Sequence, residues 1–211
     1  MKLLPILFLL YSSSIFANSD LKKKHQNLFS KIDHISLSFN QTIYKKLRDR
    51  KMNRKGKAFF SKPNNFRWDF VNKDLGNEEF YYNGKTLTHF REREATVTNY
   101  NANIGLAKEL NEVVNLVLDP GTLYTRYDIS DLKKSKGQTS MTLTPRAGMA
   151  TEISLIKIKV SDQRKYVKNI KIVYLDGNYT HFRFKNPRFS DNDLKIFSFS
   201  KKGNFTVRNH G

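Results

Sequence analysis

Residues 61–70 read S-K-P-N-N-F-R-W-D-F, from Ser61 to Phe70, and include the chain's only tryptophan. Phe66, Trp68 and Phe70 stand two apart, so on a strand they share one face, while Arg67, Asp69 and Val71 take the other. Three large aromatics on one face need apolar matter against them, either a protein core or a ligand. Upstream, Gly56 to Ser61 forms a second strand, joined through the Pro63-Asn64 turn to one over Asn65 to Val71. Downstream, Glu79 to Tyr82 runs into Asn83-Gly84, a strong hairpin signal. Thr86 to Phe90 returns, Arg91 to Glu94 turns, and Ala95 to Tyr100 follows, which makes an antiparallel meander.

Further out the period changes. From Ser36, Leu37, Phe39 and Ile43 alternate with polar residues, and Lys45 to Lys51 is a charged turn. Asp20 to Ile32 has helical spacing, with Leu21, Leu28 and Ile32 on one face and Ser19 or Asp20 as cap. A second helix is expected over Ile104 to Leu118, stopped by Asp119-Pro120-Gly121. It is too apolar for a surface helix and must cover something. Strands resume at Leu123 to Ile129, Thr139 to Thr144, Thr151 to Val160, Val167 to Leu175 and Tyr179 to Asn186. A turn lies at Asp176-Gly177-Asn178, and Phe197 to Phe199 with Phe205 to Val207 forms a short C-terminal pair. The fold class is mainly β (α+β). One curved antiparallel sheet of about 11 strands forms an incomplete barrel, covered by the N-terminal helix and the internal lid helix.

Met1 to Ala17 has a lysine, a short apolar run and a small residue at the end, the pattern of a signal peptide cleaved after Ala17. Residues 18–211 then make a single domain, exported to a compartment such as a periplasm. The chain has no cysteine, so it has no disulfide, thiol nucleophile or lipidated N-terminal cysteine. The net charge is +19, or +18 without Lys2, the only charged residue of the first 17. In an exported protein such charge faces an anionic membrane or an acidic partner, or has no specific role.

Motifs for chemistry are missing. His25, His34, His89, His181 and His210 are scattered, with no metal-ligand spacing between them. There is no nucleophile elbow or phosphate loop. Asp191-Asn192-Asp193 lacks the rest of a calcium loop and is a turn. Glu92 and Glu94 balance Arg91 and Arg93. Bases and aromatics interleave in His89-Phe90-Arg91 and Phe182-Arg183-Phe184, but this is ordinary strand alternation, and nucleic acid is not expected. No enzyme, cofactor or metal is expected.

The segments F39-N40-Q41-T42, G56-K57-A58-F59-F60, K62-P63-N64-N65-F66-R67-W68 and Y81-Y82-N83-G84-K85-T86-L87 resemble the LolA family of periplasmic lipoprotein carriers. So do A95-T96-V97-T98, F197-S198-F199 and G203-N204-F205-T206-V207. The resemblance implies an incomplete barrel closed by helices over an apolar cavity. It implies a monomeric chaperone that takes acylated lipoproteins from an inner-membrane ABC release complex to an outer-membrane receptor or to the outer membrane itself. By position, Phe66 and Trp68 match the family's cavity-lining strand. Leu37, Phe39 and Phe70 follow by alternation, and Leu110, Val114 and Val117 are the expected cavity side of the lid helix; plain core packing is the alternative for each. The family's lid-holding arginine is replaced by Lys62, which keeps the charge and loses the planar fork of donors. A charged residue at Phe66 or Trp68 is expected to impair binding and leave the fold intact. Two rivals stand: a same-fold module for free lipid or glycolipid, and a secreted hydrolase whose site does not show in one sequence.

Overall fold

The computed structural model describes residues 23, 32–72, 76–101, 106–118, 125–149, 151–190 and 193–210. A long hairpin organises it: β1 (His34–Lys45) and β2 (Arg50–Ser61) pair from His34↔Ser61 to Lys45↔Arg50. The meander continues through β3 (Asn65–Val71), β4 (Glu78–Asn83), β5 (Thr86–Arg91) and β6 (Thr96–Asn101). Helix α1 (Leu106–Leu118) follows, then β7 (Tyr127–Ser135), β8 (Gln138–Pro145), β9 (Ile153–Ser161), β10 (Tyr166–Tyr174), β11 (Tyr179–Arg188) and β12 (Thr206–His210). All twelve described strands join one sheet in the order β12-β6-β5-β4-β3-β2-β1-β11-β10-β9-β8-β7. Its two edge strands, β12 and β7, do not pair with each other, so the curved sheet is an incomplete barrel.

Strand order explains the apolar helix. β6 lies toward one edge and β7 is the opposite edge, so the connection between them has to cross a face of the sheet. α1 lies in that connection. It packs against β2 and β10, and Leu110, Val113, Val114, Leu116, Val117 and Leu118 are buried in the main core. The expected N-terminal helix over Asp20 to Ile32 lies outside the described residues, apart from Lys23 and Ile32. The signal peptide, the Asp119-Pro120-Gly121 stop and Asp191-Asn192 also lie outside them.

Turn chemistry appears where expected. Gly84 has φ +85° and Asn83 Oδ1 accepts from the Lys85 and Thr86 N–H groups, closing the β4–β5 hairpin. Three sequence expectations are corrected. β2 starts at Arg50 rather than Gly56, because β1 offers backbone partners as far as Lys45 and strand pairing needs no apolar side chain. The strand expected over Leu123 to Ile129, whose first two residues lie outside the described ones, is seen from Tyr127 and runs on through charged residues to Ser135 rather than ending at Ile129. Phe197 to Phe199 is not a strand: Leu194–Phe197 is a 3-10 turn, and β12 pairs parallel with β6. The chain leaves β11 in mid-sheet and crosses the outer face to reach that edge. There Phe199 and Phe205 pack on Tyr81, Phe90 and Val97 in a second apolar cluster.

Candidate functional site

The register places the inner-face side chains in rows across the sheet. One row runs Leu37, Ala58, Trp68, Phe80, His89 and Thr98. The next runs Phe184, Phe39, Gly56, Phe70, Glu78 and Arg91. Beyond it lie Phe182, Gln41 and Arg54, then Thr180, Ile43 and Met52. The inner face therefore grades from aromatic to polar along the strands.

Trp68 anchors the aromatic end. Its ring centroid is 4.9 Å from Phe39, 5.1 Å from Phe60 and 5.2 Å from Phe182, at angles between tilted and edge-on. Gly56 lets these rings converge. A Cβ there would stand 1.8 Å from Asp69 O and 3.0 Å from Phe39 Cζ.

At the polar end a cavity of about 880 Å³ opens between the sheet and α1. Ile43, Phe70, Phe80, Ile172, Phe182 and, from α1, Leu110 and Val113 form its apolar wall. Most of the rest of its lining is polar and includes the charged residues Lys45, Arg54, Glu78, Arg91, Glu94, Glu152 and Asp176. Arg54 Nη2 lies 2.5 Å from Glu78 Oε2, with the guanidinium 3.8 Å from the centre of the Phe70 ring. Arg91 donates to Glu94 over 2.9 Å, which raises the arginine's pKa and lowers that of the carboxyl.

Two buried polar groups sit in this lining. Gln41 is 7% exposed and His89 is 4% exposed. Gln41 Oε1 and both ring nitrogens of His89 have no hydrogen-bond partner among the described residues. His89 stacks on Phe80 at 4.1 Å and its Nε2 stays 3.9 Å from Glu78 Oε2. Burial, then the positive charge of Arg91, pushes its pKa down to about 4, so the ring is neutral at pH 7.

Of the residues singled out in the sequence, Phe70 and Leu110 line the cavity. Leu37, Phe39, Phe66, Trp68, Val114 and Val117 are buried in the aromatic and aliphatic core beside it. Lys62 Nζ is 3.1 Å from Asp33 Oδ1, and its N–H donates to Asp33 O over 2.9 Å, which ties the end of β2 to the approach to β1. Sequence reasoning missed Gln41, Arg54, Glu78 and His89. A hint lay in His89 and Leu87, which alternate in step with Phe80 and Tyr82. Phe90, the apolar residue between His89 and Arg91, faces the outer cluster.

The family model for the outer membrane lipoprotein carrier protein LolA matches residues 30–200. The chain belongs to the LolA family. Solved structures that align with it are distant in sequence. An uncharacterized conserved protein from Thermus thermophilus aligns with TM-score 0.56 and 6% identity, covering 93% of this chain and 99% of that one. A DUF1329 family protein from Desulfovibrio piger aligns with TM-score 0.52 and 11% identity, covering 87% and 97%. A LolA superfamily protein from Nitrosomonas europaea aligns with TM-score 0.48 and 8% identity, covering 86% and 97%. No curated protein matches the chain. In this LolA-family chain the incomplete barrel and the helix crossing its inner face enclose the cavity described above.

Proposed function

We propose that the protein is a periplasmic carrier that holds the acyl chains of lipoproteins in the cavity under α1 and passes them from an inner-membrane release complex to the outer membrane. The supporting observation is the cavity itself, a space of about 880 Å³ with an aromatic and aliphatic wall shared by sheet and helix. Its volume falls in the range of roughly 300–1,000 Å³ that suits a small-molecule ligand. Burying each CH₂ is worth about 0.8 kcal/mol, so a chain of about sixteen carbons gains roughly 12 kcal/mol on leaving water. That gain is enough to need a carrier and too large to give up in water, so release has to occur against another apolar phase. The protein acts by binding and makes or breaks no bond.

Opening the space further requires α1 to lift from β2 and β10, against which it packs. Lys62 serves as part of the latch through Asp33, which leads into β1 from the preceding segment. The test is capture of the tagged protein from its native periplasm, with mass spectrometry of what accompanies it. Acylated lipoproteins are expected, and they should be lost when the lipidated cysteine of the cargo is replaced. Recovery of only free lipid or glycolipid would replace the carrier reading with a lipid-binding module, and recovery of nothing apolar would refute both.

A further inference from the structure

Two hairpin tips stand together beside the mouth of the cavity. One joins β1 to β2 through the Lys46–Arg48 turn, and the other joins β10 to β11 through Leu175 to Asn178. They are locked to each other. The Lys46 N–H donates to Asn178 Oδ1 over 2.8 Å, and the Tyr44 and Tyr179 rings stack at 5.1 Å. Gly177, at φ +81°, lies against the Lys46 side chain, where a Cβ would come within 2.5 Å of Cδ. The paired tips are thus one built surface and not two loose loops.

That surface has an unusual composition. Leu47 is 97% exposed, Leu175 is 72% exposed and Met52 is 41% exposed. Around them lie exposed Lys45, Lys46, Arg48, Arg50 and Lys51, five cations against three carboxylates, Asp49, Asp176 and Glu152, the last beside Leu175. Asp49 accepts from Tyr44 Oη over 3.0 Å, and Asp176 accepts from the Asn178 N–H over 2.8 Å. Lys45, Met52 and Leu175 also line the cavity, so its opening and the tips are continuous.

We propose that these two hairpin tips dock the protein on an anionic bilayer, with Leu47 and Leu175 entering the acyl region and the cations meeting lipid phosphates. A leucine almost fully in water on a rigid tip has no apolar partner among the described residues, and the cations around it would lose hydration without compensation against an apolar patch that carries no negative charge. A bilayer supplies both terms in the right order of depth, with phosphate above and acyl chain below. Lysine and arginine reach outward while their stems stay with the leucines, and the stacked tyrosines suit the interface between the two zones. An acidic protein would satisfy the cations and leave Leu47 without an apolar socket. This inference rests on the carrier reading only for its purpose, which is to bring the cavity mouth to the membrane so that a chain leaves without crossing water.

The chain has no cysteine, so Leu47→Cys carries a unique environment-sensitive label, and Lys159→Cys on an exposed position of β9 is the control. Mixed with phosphatidylcholine vesicles containing phosphatidylglycerol, the protein should co-float, and the label at 47 should shift to the blue while that at 159 does not. Vesicles of phosphatidylcholine alone should bind it at least tenfold more weakly. Removing one surface cation costs about fivefold in binding, so Arg48→Glu with Arg50→Glu should weaken it by about 25-fold or more. Leu47→Ser should weaken it by roughly tenfold. Neither variant touches the cavity lining, so lipoprotein capture in solution should persist. Failure to float, flotation without a shift at 47, or tips that bind an acidic protein and no vesicle would each overturn the proposal. Vesicle binding without lipoprotein capture would sink the carrier reading and leave the membrane tip standing.

Discussion

His89→Phe tests the reading of the cavity wall. The imidazole is 4% exposed, stacked on Phe80, and without a hydrogen bond at either nitrogen among the described residues. Phenylalanine keeps the stack and removes both orphaned nitrogens, and an unsatisfied buried polar group costs about 1–3 kcal/mol. The larger ring takes back part of that gain, so at pH 7.5 the variant should be more stable by about 1 kcal/mol. The pH dependence is sharper. The folded-state pKa is about 4 against an ordinary 6.5. The folded pKa is therefore depressed, and the unfolded chain takes up the proton first as pH falls below 6.5. The wild type loses stability over that window and the loss levels off below about pH 4. Between pH 7.5 and 5 the loss from this one group is roughly 2 kcal/mol. Glu78, Arg54, Arg91 and Glu94 are the charged groups acting on His89; they remain in the variant, as do the other histidines, so most of their own titration cancels in the difference. Urea unfolding followed by the fluorescence of Trp68, the only tryptophan, gives both curves. If wild type and variant lose stability in parallel from pH 7.5 to 5, His89 is solvated or hydrogen-bonded and the account of the wall is wrong.

Four further variants probe the packing and the buried hydrogen bonds. Gly56→Ala forces a Cβ to within 1.8 Å of Asp69 O, so it should cost about 3 kcal/mol or more, and an unchanged melting temperature would contradict the close approach of β2 and β3. Leu110→Glu, on the cavity wall, should keep the fold by circular dichroism and abolish acyl-chain capture. Trp68→Glu places a carboxylate in a fully buried ring site and should prevent folding, which revises the expectation that charge at that position spares the fold. Glu79 receives the Tyr81 hydroxyl and, at 2.6 Å, Lys201 Nζ, so Glu79→Gln should loosen the outer C-terminal segment. Hydrogen exchange of amides in residues 199–210 should then speed up by roughly tenfold, and unaltered protection would show that Phe199 and Phe205 hold the segment unaided.

Much of the fold is legible along the chain because strand faces and turns are local. Phe66, Trp68 and Phe70 had to share a face, Asn83-Gly84 had to turn, and an apolar segment ending at Leu118 had to be covered. The errors have a common physical source. Alternation tells which residues share a face and not which face is inward. The inward side of β5 holds His89 and Arg91, while Phe90 joins Tyr81 and Val97 in an outer core covered by Phe199 and Phe205, more than 100 positions away. Charged strands such as the start of β2 and the end of β7 escape notice because a backbone ladder needs no apolar side chain.

The sequence by itself determined the mainly β class, the meander, the apolar helix and the strongly basic charge, because each is a matter of period, composition or spacing. Only the tertiary structure decided the rest. Strand order made α1 cross the sheet, and register put Gln41, Arg54, Glu78 and His89 around a cavity that the motif tryptophan only borders. The meeting of two distant hairpins brought the tips that carry Leu47 and Leu175 together beside its mouth. Those relations depend on which strands become neighbours, and that is settled by burying the whole apolar surface at once.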